Sequence, residues 1–225
     1  GEQRDFKIEI DEAFDDDLAG TGAAAFLGVV PGVLDISLGF DSALPLAGRA
    51  HDGHHYAGQT DGGDGFGEVM AQLMGATECV TATVDAAQRP VGAKWWWHAD
   101  LKTAIIESAQ VIGLAMLPPN KYHPFELDTR GLGPVIQAAV AAGAQTIYIG
   151  IGGSATNDGG FGVARSLGWR FFDDRDQLIE KWVKVNKLTR WLPPLDPILG
   201  VDFIVAVDVE NPMLGLNGCT RIFGT

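Results

Sequence analysis

The sequence predicts an α/β fold, a Rossmann-like parallel or mixed sheet flanked by helices, and three observations predict it. From Gln59 onward, short apolar runs, glycine turns and amphipathic stretches follow one another as they do in βαβ units. The apolar run Thr146-Ile-Tyr-Ile-Gly-Ile151 leads into the glycine loop Gly152 to Gly160 and then into a helical stretch near Phe161 to Leu167, a strand-loop-helix turn. A further buried-strand candidate, Val201 to Val207, ends at acidic and turn residues, Asp208 to Pro212. Ligands of open α/β sheets collect at the carboxyl ends of strands, so both strand ends are expected at a binding site.

Taken in order, residues 1–58 form an atypical N-terminal segment, with an acidic opening through Asp15-Asp16-Asp17, an Ala/Gly run from Gly20 to Ala25 and an apolar stretch to Leu44. Residues 59–225 are expected to form the α/β domain that carries the glycine-rich and acidic loops. Phe66 to Met74 reads as a helix closed by Gly75. Val80 to Val84 and Val91 to Trp97 read as a hairpin joined by the Asp85 to Pro90 turn, with Val91, Ala93, Trp95 and Trp97 on one face. Two of the three tryptophans 95–97 are expected in the core and one exposed. Leu101 to Leu117 has helical spacing at Ile105, Ala109 and Ile112 and stops at Pro118-Pro119. Leu132 to Ala142 is another helix, with Gly143 at its C-cap.

Bulk numbers narrow the function classes. A chain of 225 residues that is 46% hydrophobic can bury a real core. Sixteen Lys and Arg against 29 Asp and Glu give a net charge of −13, which repels nucleic acid and anionic membranes, so neither is expected as a partner. A phosphorylated small ligand stays open, since a divalent cation and local donors can overcome that field. Cys79 and Cys219 are too few for a disulfide framework, no run approaches the roughly 18 apolar residues of a membrane span, and a soluble cytoplasmic protein is expected.

Three turns could carry chemistry. Gly152-Gly-Ser-Ala-Thr-Asn-Asp-Gly-Gly160 lets the backbone approach an anion, with Ser154, Thr156 and Asn157 as neutral donors and Asp158 as a carboxylate for a metal or a substrate hydroxyl. The other reading is an ordinary βα turn with an Asn-Asp helix cap. Thr60-Asp-Gly-Gly-Asp-Gly65 could aim Asp61 and Asp64 at one Mg²⁺ or sugar-acid hydroxyl, or simply cap the next helix; it lacks the Glu of an EF-hand. Asp208-Val-Glu-Asn-Pro212 adds a third acidic turn at a strand end, and three such turns suit one composite site. His51, His54 and His55 with Asp52 read better as a solvated loop than as a metal site, and Lys94, Lys102 and Lys121 are candidates to meet phosphate charge. No G-x-x-x-x-G-K-[ST] loop and no H-R-D set occurs.

Ile149-Gly-Ile-Gly-Gly-Ser-Ala-Thr-Asn-Asp-Gly-Gly160 strongly resembles the signature of the two-domain bacterial glycerate kinases. Thr60-Asp-Gly-Gly-Asp-Gly65 is similar to that family's Ala-Asp-Gly-Gly-Glu-Gly loop, and Val207-Asp-Val-Glu-Asn-Pro-Met213 to its Asp-Val-x-Asn-Pro-Leu segment. Ile106-Glu-Ser-Ala109 and Thr129-Arg-Gly-Leu-Gly133 match landmarks between them, so the likeness covers about residues 59–224 in register. The resemblance implies a glycerate kinase type of fold within a two-domain architecture, with residues 1–58 readable as part of the second domain. It also implies ATP- and Mg²⁺-dependent phosphorylation of D-glycerate in a cleft. Carried over by position, Asp158, Asp61 and Asp208 are the catalytic candidates, with Asp61 and Asp208 also as metal ligands. Gly62, Gly63, Asp64, Gly152, Gly153, Ser154, Ala155, Thr156, Asn157 and Asn211 are then the substrate- or phosphate-binding set.

The likeness fades at the ends. Asp5-Phe6-Lys7 only echoes the family's opening Asp-x-Phe-Lys-Gly, which leaves its phosphate-facing lysine without a counterpart, while Gly20 to Gly28 and Gly39 to Ala43 are similar to a C-terminal stretch of the family. A truncated, gapped or rearranged chain is therefore expected. A non-catalytic sugar-acid or nucleotide binding domain is the alternative function.

Overall fold

The computed structural model describes residues 65–207. The first helix, α1 (Phe66–Met74), is followed by a hairpin of β1 (Thr77–Val84) and β2 (Pro90–His98) and then by β3 (Thr103–Glu107). A single helical turn α2 (Ala109–Ile112), two short 3₁₀ turns, helix α3 (Leu132–Ala141) and strand β4 (Thr146–Gly150) come next. After the glycine loop stand α4 (Phe161–Ser166), a small hairpin of β5 (Arg170–Phe172) and β6 (Arg190–Leu192) around a 3₁₀ turn at Trp182–Lys187, and β7 (Asp202–Ala206). The main sheet has the order β1-β2-β3-β4-β7. β1/β2 and β2/β3 pair antiparallel, whereas β3/β4 and β4/β7 pair parallel. The sheet is mixed and flanked by helices, as the sequence predicts.

Both faces of the sheet are covered, and side-chain alternation divides the core in two. Ala93, Trp95, Ala104, Ile106 and Ile147 point to the side closed by Leu132, Val135, Ile136 and Ala139 of α3. Trp96 and Ile105 point the other way, onto Phe66, Met70 and Ala71 of α1. A separate apolar cluster holds α4 against the β5/β6 hairpin through Phe161, Trp169, Phe171 and Trp182, and the Trp182 indole N–H donates to the Leu127 carbonyl at 2.9 Å.

Two expectations need correction. Leu101 to Leu117 is not one helix: Thr103–Glu107 is a strand buried at every position, followed by α2 and a 3₁₀ turn at Leu114–Met116. A strand covered on both faces needs no polar positions, so Ala104-Ile-Ile106 shows no alternation, and the helical spacing of Ile105, Ala109 and Ile112 is coincidental. The three tryptophans also divide differently. Trp95 and Trp96 are buried on opposite faces and Trp97 packs half-buried against the α3 side, because helices cover both sides of β2. The short strands β5 and β6 have no counterpart in the sequence reading.

At Gly67, in the first turn of α1, an added Cβ would lie 2.0 Å from Cζ3 of Trp96. Helix and sheet can approach this closely only through a glycine. Gly67→Ala is expected to cost about 1–3 kcal/mol by overpacking. Urea unfolding followed by tryptophan fluorescence would show a lower midpoint with an unchanged m-value.

Candidate functional site

Because β3, β4 and β7 run parallel and in register, Glu107, Gly150 and Ala206 stand side by side at their carboxyl ends. Two antiparallel steps make β1 run the same way as β3, so Val84 ends on that edge too. The turns beyond these ends form one rim.

Glu107 holds the middle of the rim. Its side chain is 1% exposed, and its carboxylate accepts from the backbone N–H of Gly67 at 2.8 Å, of Gly65 at 3.1 Å and from the Gln110 side chain at 3.4 Å. Gly65, the residue before α1, has φ 85° and caps nothing itself, so Glu107 supplies the acceptor that the start of α1 requires.

The glycine loop lies beside it, stitched down by backbone bonds. Ile151 N–H donates to Ala206 O at 3.2 Å, Leu114 N–H to Gly153 O at 2.9 Å and Ala155 N–H to Ile112 O at 2.9 Å. Ser154 donates its hydroxyl proton to Ile151 O at 3.0 Å, which makes it the acceptor in the 2.6 Å contact with Ser108 Oγ. Ser154 therefore braces the loop. Thr156 is 2% exposed, and neither its Oγ1 nor the buried Nδ2 of Asn157 has a hydrogen-bond partner among the described residues. Such orphaned buried groups are rare in folded proteins.

Asp158 closes the loop. Its Oδ2 accepts from Thr129 N–H at 2.9 Å, Thr129 Oγ1 at 2.9 Å and Gly162 N–H at 2.8 Å, and its Oδ1 from Gly160 N–H at 3.1 Å. Thr129 Oγ1 in turn accepts from Val163 N–H at 2.9 Å. One carboxylate thereby joins the turn before α3 to the start of α4. Gly159 and Gly160 follow at φ 58° and 82°, consecutive left-handed residues that explain the Gly-Gly pair. Burial pushes the Asp158 carboxyl above its ordinary value, opposed by the Thr129 and Gly162 donors and aided weakly by Asp128.

Of the sequence-predicted residues, Gly152, Gly153, Ser154, Ala155, Thr156, Asn157 and Asp158 share this rim. Asp61, Gly62, Gly63, Asp64, Asp208 and Asn211 lie outside the described residues, as do His51, His54, His55 and residues 1–58 as a whole. Lys102 precedes β3, at the opposite end of the sheet, and Lys94 is an exposed partner of Glu78 at 3.1 Å. Lys121 lies over the Tyr122 ring, 5.3 Å from its centroid. Among the described residues no three His, Cys, Asp or Glu gather as metal ligands. Glu107, Ser108 and Thr129 were not assigned roles by sequence reasoning. The available signal was a lone glutamate ending an otherwise apolar run, which only the strand assignment makes meaningful.

The family model for the glycerate kinase family matches residues 48–225. The chain belongs to the glycerate kinase family. It is 41% identical over 168 residues to the glycerate 2-kinase of Escherichia coli K12, covering 73% of this chain and 44% of that protein. It is 35% identical over 192 residues to the glycerate kinase of Bacillus subtilis 168, covering 84% and 49%. A crystal structure from Salmonella typhimurium LT2, provisionally assigned as glycerate kinase 2, superposes with a TM-score of 0.68 at 32% identity, covering 73% of this chain and 46% of that one. The chain thus spans about half the length of the curated relatives it matches.

Asp158→Ala would strand four donors and is expected to cost about 3–5 kcal/mol. The pH dependence has a definite sign. With the folded-state value raised, the native state keeps the proton longer than the unfolded chain, so this contribution is full below the ordinary carboxylate range and is lost as pH rises through the raised value. Asp128, raised mainly by burial, acts in the same direction. Urea midpoints measured across this acidic window should fall with rising pH in the native sequence, and less steeply in Asp158→Ala.

Proposed function

We propose that the protein transfers the terminal phosphoryl group of ATP to a hydroxyl of D-glycerate, with the rim above β3, β4 and β7 as one wall of the site. The observation that carries this reading is a pair of buried side-chain groups, Thr156 Oγ1 and Asn157 Nδ2, that have no hydrogen-bond partner among the described residues, on a loop otherwise stitched in place. Leaving a buried donor unpaired costs about 1–3 kcal/mol, and an oxygen-rich ligand would satisfy both. Relatives named glycerate kinase support the identity of that ligand.

Phosphoryl transfer asks for positioning and charge neutralisation rather than covalent chemistry by the protein. In this reading the Gly152–Asn157 segment receives phosphate or glycerate oxygens, Gly152 and Gly153 through backbone and Thr156 and Asn157 through side chains, while Ala155 lines the site with its N–H held by Ile112 O. Ser154 and Asp158 keep the loop in shape. Asp158, with both oxygens already accepting from the protein, serves as a positioning residue, and Asp61 remains the acid–base candidate. Gly62, Gly63, Asp64 and Asn211 complete the binding set. Mg²⁺, when bound, neutralises phosphate oxygens. Glu107 and Asp158 are committed to N–H and O–H donors, so the ligand role is assigned to Asp61 and Asp208. A small-molecule kinase of this kind, acting without nucleic acid or membrane, suits the cytoplasm, and Cys79 is a free thiol. No observation favours a binding-only domain.

The test is coupled detection of ADP release with D-glycerate, on this chain and on any longer polypeptide that contains it. The absence of both turnover and calorimetric binding of glycerate in folded protein would defeat the reading. Thr156→Val is the sharper probe. Its hydroxyl bonds nothing among the described residues, so the urea midpoint is expected to stay level or rise, while kcat/KM falls about tenfold or more if the hydroxyl meets a charged phosphate oxygen.

A further inference from the structure

At the far end of the same sheet edge, a cavity of about 720 Å³ opens between the end of β1 and the start of α3. Its walls include Thr83, Val84, Gln88, Pro134 and two arginines, Arg130 and Arg165. We propose that this groove is a second anion site, taking a phosphate group between the two guanidiniums.

The fold brings two guanidiniums to one groove without an ion pair for either among the described residues. Arg165 is held by donating to the Glu180 carbonyl, with its guanidinium 5.9 Å from the centroid of the Phe161 ring. Neither contact neutralises it. Arg130 is exposed, and no ion pair of either arginine is present among the described residues. The two cations feel one another: burial and then the Arg130 charge lower the Arg165 pKa, with Glu180 and Asp128 opposing. The Asp128 carboxylate, which attracts both guanidiniums, is also engaged by the Gln88 side chain at 2.5 Å and by Arg130 N–H at 3.0 Å. An oxyanion between the guanidiniums would turn their repulsion into two charge-assisted contacts, and guanidinium is the side chain best shaped for phosphate. A local cationic groove on a chain of net charge −13 is otherwise costly to explain.

The groove is separate from the glycine loop. None of residues 152–157 lines it, although Arg165 belongs to α4, the helix into which that loop leads. The inference therefore stands independently of the phosphoryl-transfer reading. The two places are nevertheless linked, since Arg130 directly follows Thr129, whose N–H and hydroxyl both bind Asp158.

The experiment is titration of the 225-residue chain with inorganic phosphate and, separately, glycerol 3-phosphate, at ionic strength matched with chloride, followed by ¹H–¹⁵N amide shifts. Saturable shifts at Thr83, Val84 and residues 130–133 are expected, weakened about tenfold or more by Arg130→Ala. Tighter binding of glycerol 3-phosphate would identify an organic phosphate as the ligand, and equal binding would identify free phosphate. Arg130 is exposed, so its variant tests the site even if Arg165→Ala fails to fold. Shifts confined to residues 152–157, no saturation, or undiminished binding in Arg130→Ala would overturn the proposal.

Discussion

The carboxylate of Asp158 is the constraint on which the rim depends. Buried beneath the glycine loop, it gathers the backbone of Thr129, Gly160 and Gly162 into one set of hydrogen bonds. The turn before α3 and the start of α4 come from segments about 30 residues apart in sequence, separated by β4. Removing the carboxylate would cut the direct tie between them and leave N–H groups in a place water does not reach. At Gly162 a Cβ would come within 2.9 Å of this carboxylate and 2.6 Å of the Arg130 nitrogen, so the close approach explains the glycine as well.

Glu107 repeats the device at the neighbouring strand end. Both acids are buried, and both are satisfied by N–H groups and neutral side chains instead of cations. The consequence is electrostatic. Acidic side chains at a strand edge would ordinarily repel phosphate, but here their charge is spent on the partial positive charge of backbone donors. Among the described residues, the buried side-chain groups left unpartnered here, Thr156 Oγ1 and Asn157 Nδ2, are neutral, and Arg130 and Arg165 beyond them are cationic. A strongly acidic chain can in this way keep the carboxylates of one sheet edge paired within the fold.

Much of this was legible in the sequence where local chemistry decides structure. Gly75 ends α1 with φ 72°, as expected of a residue needed for its left-handed conformation, and the strand-loop-helix around residues 146–166 follows from an apolar run, glycines and an amphipathic stretch. Legibility failed where tertiary burial overrides pattern. β3 carries no alternation because α1 and α3 cover both its faces, and Trp96 looks exposed only until α1 is placed against it. Asp158 illustrates the same limit at the site: its residue type and position suggested an acid–base or metal role, while its four hydrogen bonds, two of them from Thr129, could be known only once distant segments were brought together.

The stitched loop also explains why partnerless groups persist. A flexible loop would rotate Thr156 and Asn157 toward water or toward each other's backbone, and the cost of burying them unpaired would vanish. Ser154 fixed to Ile151 and Ser108, Ala155 fixed to Ile112, and Asp158 fixed to α4 deny the segment that escape. Donors frozen in place need no reorganisation when charge arrives, which is where preorganised dipoles gain most over water. The strain of an unsatisfied threonine and the rigidity of the loop that holds it are therefore one feature, since the rigidity is what makes the strain tolerable.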